Sequence, residues 1–134
     1  MAAFEATVQP PAWCKTVCIV EDDAPVRDSL SVLLEIRGLT VLAYESAADF
    51  LADQGGRRAG CLIVDQNMPG MSGLDLLAAL RANGNPVPAI ILTGRSSPHL
   101  AQRASALGVV AILEKPLVQA ALTVLVCAIL KQGG

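Results

Sequence analysis

The fold is decided by residues 61–73, which read CLIVDQNMPGMSG. This stretch begins with four consecutive apolar residues and changes at Asp65 to polar and turn-forming residues. A short run that is apolar on both faces is typical of a parallel strand covered by helices on both sides, whereas a half-exposed antiparallel strand would alternate between apolar and polar residues. Residues 61–64 therefore predict a buried parallel strand with an aspartate at its carboxyl end.

Four further runs of this kind occur along the chain, and segments with helical spacing of apolar residues lie between them. The predicted strands are 16–20, 40–43, 61–64, 89–92 and 109–113, and the predicted helices are 25–37, 46–53, 72–81, 98–107 and 117–130. Gly38 and Gly108 stand where the first and fourth helices should stop. Five alternating strands and helices joined by right-handed crossovers predict an α/β, doubly wound, five-stranded parallel sheet with helices on both faces.

The length and composition predict one soluble domain. The chain has 134 residues, which leaves no room for a second domain of ordinary size. Hydrophobic residues make up 53% and charged residues 16%, which excludes a disordered chain. Residues 1–14, with two adjacent prolines, read as a loose N-terminal arm ahead of a domain at 15–134. We expect a cytoplasmic location, because the N-terminus lacks the features of a secretory signal and no apolar run reaches the roughly 18–20 residues that cross a bilayer.

Charge and residue usage exclude several other classes of function. Ten Lys and Arg against twelve Asp and Glu give a formal net charge of −2, and only four residues are aromatic, so direct binding of nucleic acid is not expected. The four cysteines show no C-x-x-C pair and stand far from the single histidine, His99, so a zinc site is poorly supported. The bland interpretation of His99 is an exposed residue in the first turn of a helix.

Polar residues concentrate at the carboxyl ends of the predicted strands. The first strand runs into an acidic triplet, the third into an aspartate, the fourth into a threonine and the fifth into a Glu-Lys-Pro sequence: Glu21, Asp22, Asp23, Asp65, Thr93, Glu114, Lys115 and Pro116. Because the carboxyl ends of parallel strands share one edge of the sheet, these groups should converge. Crowded carboxylates take up a proton or bind a cation, and a set of oxygen donors suits Mg²⁺.

Such a site has the parts for phosphoryl transfer. A divalent ion and a lysine neutralise charge on the transferred group, so a carboxylate can attack phosphorus. Asp65 is the candidate nucleophile, since it ends the most continuously apolar strand. Lys115 would supply charge, and the Thr93 hydroxyl would donate to a phosphoryl oxygen. Arg95 is left open between a solvated side chain and one that reaches the phosphoryl group.

With these residues the chain resembles the receiver domain of two-component response regulators, over about residues 15–130. The resemblance is carried by the acidic run at 19–23, the loop DQNMPGMSG at 65–73, Thr93-Gly94 and the Glu-Lys-Pro sequence at 114–116. The loop and the opening of the first helix at 25–27 are most similar to the receivers of FixJ-type transcription regulators. The family implies the strand order 2-1-3-4-5.

The resemblance also implies a role for each matched residue. Asp65 would be the phosphoacceptor, Asp22 a direct Mg²⁺ ligand, Glu21 an acidic partner acting mainly through water, and the carbonyl of Asn67 a further ligand. Thr93 would be the switch hydroxyl and Lys115 the lysine of the site. Asp23 lies one position beyond the matched acidic pair, and we interpret it as a charge at a helix N-terminus.

The implied function is signalling rather than metabolic catalysis. Asp65 would take a phosphoryl group from a sensor histidine kinase and lose it by hydrolysis. The change would reach an output domain or a target protein through the face built from the fourth helix, the fifth strand and the fifth helix, which is also the candidate surface for a homodimer.

Two departures from the family pattern leave an alternative open. Receivers usually have an aromatic residue three positions before the lysine, where this chain has Ile112, and another after the proline, where it has Leu117. The last helix is apolar almost all round, because one set of apolar residues cannot face the sheet if the other does: Val118, Leu122, Val126 and Leu130 against Ala121, Leu125 and Ile129. An exposed apolar stripe favours a partner surface, so the alternative is a binding module that docks through this helix without cycling phosphate.

Overall fold

The computed structural model describes residues 15–53 and 59–133, so the predicted arm at 1–14 lies outside the described residues. Its centre is one sheet of five parallel strands in the order β2-β1-β3-β4-β5, which confirms the predicted fold and strand order. The strands are β1 Thr16–Val20, β2 Thr40–Tyr44, β3 Cys61–Asp65, β4 Ala89–Thr93 and β5 Ala111–Glu114.

Within the described residues, five helices cover the two faces of this sheet. They are α1 Ala24–Glu35, α2 Ala47–Asp53, α3 Gly73–Ala82, α4 Pro98–Ala106 and α5 Gln119–Gly133. Buried side chains of α2, α3 and α4 pack on one face, and those of α1 and α5 pack on the other. Successive strand residues point to opposite faces, so Leu62 joins the first core and Ile63 the second. All five residues of β3 and of β4 are buried, which is why these strands read as continuous apolar runs.

The structure corrects the predicted start of the fifth strand. Residues 109–110 were assigned to it by their apolar character, but β5 begins at Ala111. Gly108 has a φ of 72°, and the amide of Val109 donates to the carbonyl of Ala104 at 3.0 Å, so these residues close the carboxyl end of α4. The backbone of Val109 is thus used to cap a helix and not to extend the strand.

The last helix also begins later than predicted, at Gln119. The amide of Leu122 donates to the carbonyl of Val118 at 3.2 Å, which makes Val118 the residue that caps the helix start. Leu122, Val126 and Ile129 form its buried stripe, while Val118 and Val124 are exposed. Leu125 and Leu130 are partly buried and pack against the same core, so neither predicted row of apolar residues forms an exposed stripe. The prediction that one row faces solvent is therefore wrong, and the exposed large apolar side chains in this region are Val118 and Val124. None of the helices in the described ranges is both long and apolar enough to cross a membrane.

Candidate functional site

The site lies at the carboxyl ends of β1 and β3, the two central neighbours in the sheet. Val20 pairs with Val64, so the residues that follow, Glu21 and Asp65, stand side by side. Glu21 is 0% exposed and Asp65 is 3% exposed, whereas Asp22 is exposed. One carboxylate oxygen from each of these three residues lies within 4.8 Å of the others. The predicted convergence of Glu21, Asp22 and Asp65 is confirmed.

Lys115 reaches this acidic group from the end of β5. Its Nζ lies 2.7 Å from Oε1 of Glu21 and 3.4 Å from Oδ1 of Asp65. Its backbone amide donates to the carbonyl of Thr93 at 2.8 Å, which ties the end of β5 to the end of β4. The peptide bond between Lys115 and Pro116 is cis. One ammonium thus stands against two nearly buried carboxyl groups.

Glu21 carries most of the electrostatic cost of this arrangement. Burial and the neighbouring Asp65 carboxyl raise its pKa to about 7, although the hydrogen bond from Lys115 acts in the opposite direction. The pKa of Lys115 is raised despite its partial burial, by the hydrogen bond to Glu21 and by the charges of Asp65 and Glu21. Oε2 of Glu21 is buried and accepts no hydrogen bond from the part of the chain that the structure describes.

The donor set fits a hard divalent cation. It consists of carboxylate oxygens, which suit Mg²⁺ better than softer metals, and it includes a buried oxygen atom that lacks a hydrogen-bond donor. The backbone amide of Asn67 donates to Oδ1 of Asp65 at 3.3 Å, which places the Asn67 backbone beside the acidic group. The role of the Asn67 carbonyl as a ligand stays a prediction.

Thr93 ends β4 next to the site, and its hydroxyl is engaged with the loop that follows. Its side chain is buried, donates to the carbonyl of Arg95 at 3.1 Å and accepts from the amide of Arg95 at 3.2 Å. Thr93 and Asn67 line an open cavity of about 240 Å³, and Arg95 and His99 also line it. His99 lies exposed in the first turn of α4, which confirms the predicted exposed position.

Asp23 has the predicted position at a helix start. Its carboxylate accepts from the amide of Val26 at 3.2 Å and caps α1, so Asp23 is not one of the three clustered carboxylates. Arg27, four residues further on, donates from its guanidinium to the backbone carbonyl of Glu21 at 2.7 Å. No role was predicted for Arg27, and the one signal in the sequence is an arginine in the helix that directly follows the acidic run.

Gln66 is the second residue at the site that sequence reasoning missed. Its side-chain oxygen accepts from the amide of Leu74 in the first turn of α3 at 2.9 Å. The available signal was a polar residue directly after a buried strand and shortly before a helix whose first amides need acceptors.

The chain matches the family model described as the response regulator receiver domain over residues 17–126. It is 37% identical over 117 residues to the transcriptional regulatory protein FixJ of Bradyrhizobium diazoefficiens, covering 87% of this chain and 57% of that protein. It is 43% identical over 106 residues to FixJ of Azorhizobium caulinodans, covering 79% of this chain and 50% of that protein. The chain thus spans about half the length of these relatives.

Solved structures show the same likeness. Full-length FixJ from B. japonicum superposes with a TM-score of 0.80 at 36% identity, covering 88% of this chain and 58% of that chain. The FixJ-N crystal structure superposes with a TM-score of 0.76 at 35% identity, covering 87% of this chain and 93% of that chain.

Proposed function

The chain belongs to the family of response regulator receiver domains in two-component systems, and from this premise we propose that Asp65 accepts a phosphoryl group from the phosphohistidine of a sensor histidine kinase. The observation that carries the proposal is the pairing of two nearly buried carboxyl groups, Glu21 and Asp65, with Lys115 at the carboxyl edge of the sheet. Burying charged groups in this way lowers the free energy of unfolding, because the loss of hydration outweighs the attraction between the charges. Stability alone therefore does not explain the arrangement. It is suited to a site that binds a cation and a phosphoryl group.

In the proposed reaction a carboxylate oxygen of Asp65 attacks phosphorus, the phosphorus–nitrogen bond breaks and the imidazole leaves with its electron pair. Lys115 holds a positive charge 3.4 Å from the attacking carboxylate and stabilises charge on the phosphoryl oxygens. Glu21 and Asp22, with Asp65 and the Asn67 carbonyl, would hold Mg²⁺, which supplies further positive charge when bound. Hydrolysis of the acyl phosphate returns the carboxylate, so the chain acts as a switch.

Signal output would begin at Thr93 and Lys115. A phosphoryl group adds about two negative charges at neutral pH, and the Thr93 hydroxyl would exchange the carbonyl of Arg95 for a phosphoryl oxygen. That exchange releases the loop between β4 and α4, and Lys115 connects the same event to β5 through its backbone bond to Thr93. We place the responding surface on α4, β5 and α5, where it would act on an output domain, a target protein or a second copy.

The relatives named transcriptional regulatory proteins favour an output domain that acts on transcription. Ile112 stands where the family usually has an aromatic residue, and it lies partly buried against the core formed with α2, α3 and α4. We therefore propose that the conformational change relies on the loop after Thr93 rather than on rotation of a ring at this position.

A titration with beryllofluoride and Mg²⁺, followed by amide resonances in nuclear magnetic resonance spectra, tests the phosphoacceptor. Beryllofluoride binds an aspartate carboxylate as an analogue of its phosphorylated form. We expect shifts at the site and in the loop after Thr93, loss of both in Asp65→Asn, and retention in Asp28→Asn, which changes an exposed carboxylate on α1.

A second candidate function is the binding module without phosphate chemistry, and two exposed apolar side chains favour it: Val118, directly before α5, and Val124 on α5. No response to beryllofluoride at any Mg²⁺ concentration would contradict phosphoryl acceptance and support the module. A response that survives in Asp65→Asn would contradict the assignment of the nucleophile.

A further inference from the structure

Gln66, the residue directly after Asp65, is bonded to two other elements through three of its polar groups. Its backbone amide donates to the carbonyl of Leu92 in β4 at 2.7 Å. Its backbone carbonyl accepts from the amide of Gly73 at 3.3 Å, and its side-chain oxygen accepts from the amide of Leu74 at 2.9 Å. Gln66 therefore links the end of β3 to the neighbouring strand and to the start of α3.

The first turn of α3 divides its acceptors between two residues. The first amides of a helix have no partner within the helix. Gln66 supplies the acceptors for Gly73 and Leu74, while the hydroxyl of Ser72 accepts from the amide of Asp75 at 3.1 Å. The side chain of Asp75 in turn accepts from the amide of Ser72 at 3.3 Å, which completes a capping box. The start of α3 thus has one cap from the adjacent Ser72 and one from Gln66, in the loop after β3.

The start of α3 also lies directly against the backbone of Asp65. A Cβ atom added at Gly73 would stand 2.7 Å from the carbonyl oxygen of Asp65 and 3.1 Å from its carbonyl carbon. This close approach leaves no room for a side chain at Gly73. Because the start of α3 and the end of β3 are in direct contact here, a shift of one relative to the other would move the backbone of Asp65. The bonds from Gln66 hold the two in register.

We propose that Gln66 is a positioning residue: its side-chain amide oxygen, held by Leu74, fixes the segment 65–67 against α3 and so aims the Asp65 carboxylate and the Asn67 backbone at the metal position. Asn67 donates its amide to Oδ1 of Asp65 at 3.3 Å across Gln66, so a rotation of the Gln66 backbone would move both groups. This inference rests on the proposed function, because it concerns the same Mg²⁺ site.

The test compares Gln66→Met with Ser72→Ala in the whole chain. Each substitution removes one side-chain acceptor from the first turn of α3, so both should lower the midpoint of urea denaturation by a similar amount. A titration with MgCl₂ alone, followed by amide resonances, measures the dissociation constant. We expect it to rise about tenfold in Gln66→Met, as for partners that orient metal ligands, and to stay within about twofold in Ser72→Ala.

Two further variants separate positioning from charge. Gln66→Glu keeps an oxygen of the same reach for Leu74 and should bind Mg²⁺ at least as tightly as the unsubstituted chain. Gln66→Asn is neutral and one methylene shorter, and should bind as weakly as Gln66→Met. Protection of the Leu74 amide from hydrogen exchange should be high in the unsubstituted chain and in Gln66→Glu, and low in Gln66→Asn and Gln66→Met. This difference should be the same with and without Mg²⁺.

The inference is overturned if Gln66→Met binds Mg²⁺ as tightly as the unsubstituted chain, if Ser72→Ala weakens binding equally, or if Gln66→Glu does not restore it. If the unsubstituted chain itself shows no Mg²⁺-dependent shifts at the site, the proposed function fails. The inference about Gln66 then fails with it.

Discussion

The central strands and the edge strand β5 contribute to the site in different ways. The central strands β1 and β3 deliver Glu21 and Asp65 at 0% and 3% exposure from runs of buried residues. The edge strand β5 is only partly buried, and the side chain of Lys115 beyond it is 27% exposed. The acidic half of the site, Glu21 and Asp65, thus belongs to the buried core. Its basic half, Lys115, stands at the end of β5, which together with Lys115 forms the solvent-accessible border of the sheet.

This difference suggests where a change at the site is transmitted. Moving a carboxylate of the central strands would disturb close packing on both faces of the sheet, which costs several kcal/mol. Moving Lys115 or β5 disturbs fewer buried groups and costs less. If Asp65 accepts a phosphoryl group as proposed, attraction of Lys115 would therefore shift β5 rather than the central strands, which would fit an output surface on α4, β5 and α5.

The largest expected effect separates two isoleucines that are partners in the sheet. Ile91 of β4 pairs in register with Ile112 of β5, and both contact the core formed with α2, α3 and α4. Ile91 is 0% exposed, so Ile91→Ala should lower the free energy of unfolding by about 2–5 kcal/mol. Ile112→Ala, at the partly buried border, should cost about 1 kcal/mol. Urea denaturation followed by circular dichroism measures both.

Equal losses in the two alanine variants would contradict the distinction between centre and border. A loss in Ile112→Ala as large as that in Ile91→Ala would mean that β5 is held as firmly as β4. Transmission through the border would then need another structural basis.

Much of the core and of the site is predictable from strand patterns. Continuous apolar runs locate β3 and β4, and the rule that carboxyl ends of parallel strands share an edge brings Glu21, Asp65 and Lys115 together. Both predictions depend on periodicity and topology, which a single sequence contains. The strand order, in contrast, came from the family resemblance, and the register that pairs Ile91 with Ile112 is visible only in the structure.

Contacts made by individual side chains are less predictable. Gln66 and Arg27 each bond to a particular backbone atom across a gap in the sequence, and such a bond depends on the final position of a helix start relative to a strand end. The start of β5 was misplaced for a related reason, because the apolar Val109 gave no indication that its amide would cap α4.

The next largest expected effect is a pH dependence of the free energy of unfolding that arises from Glu21. The folded pKa of Glu21 is about 7, above the ordinary glutamate value of 4.5, so the folded state binds the proton more tightly than the unfolded state. Stability without metal should therefore rise as the pH falls from above 7 towards 4.5, by about 2 kcal/mol between roughly pH 8 and pH 5. Urea denaturation in the presence of a chelator across this range measures it.

Glu21→Gln is the matched control, because it keeps the shape of the side chain and removes the titration. The slope between roughly pH 5 and pH 8 should largely disappear in this variant. Lys115 stays charged throughout this range, because its pKa is raised from an already high value, and the lowered pKa of Asp75 acts below it. A slope that persists unchanged in Glu21→Gln would assign the pH dependence to another group.

The smallest effect concerns the outer face of α5, at the border side of the molecule. Val124 is 68% exposed and Val126, two residues later, is 0% exposed, so the same substitution tests both faces of one helix. Val124→Ser should change the free energy of unfolding by no more than about 0.5 kcal/mol, whereas Val126→Ser should lower it by about 2 kcal/mol because it places a hydroxyl in the core. If Val124→Ser costs as much as Val126→Ser, another copy of the chain covers this face in solution, and sedimentation should then show a dimer that the substitution dissociates.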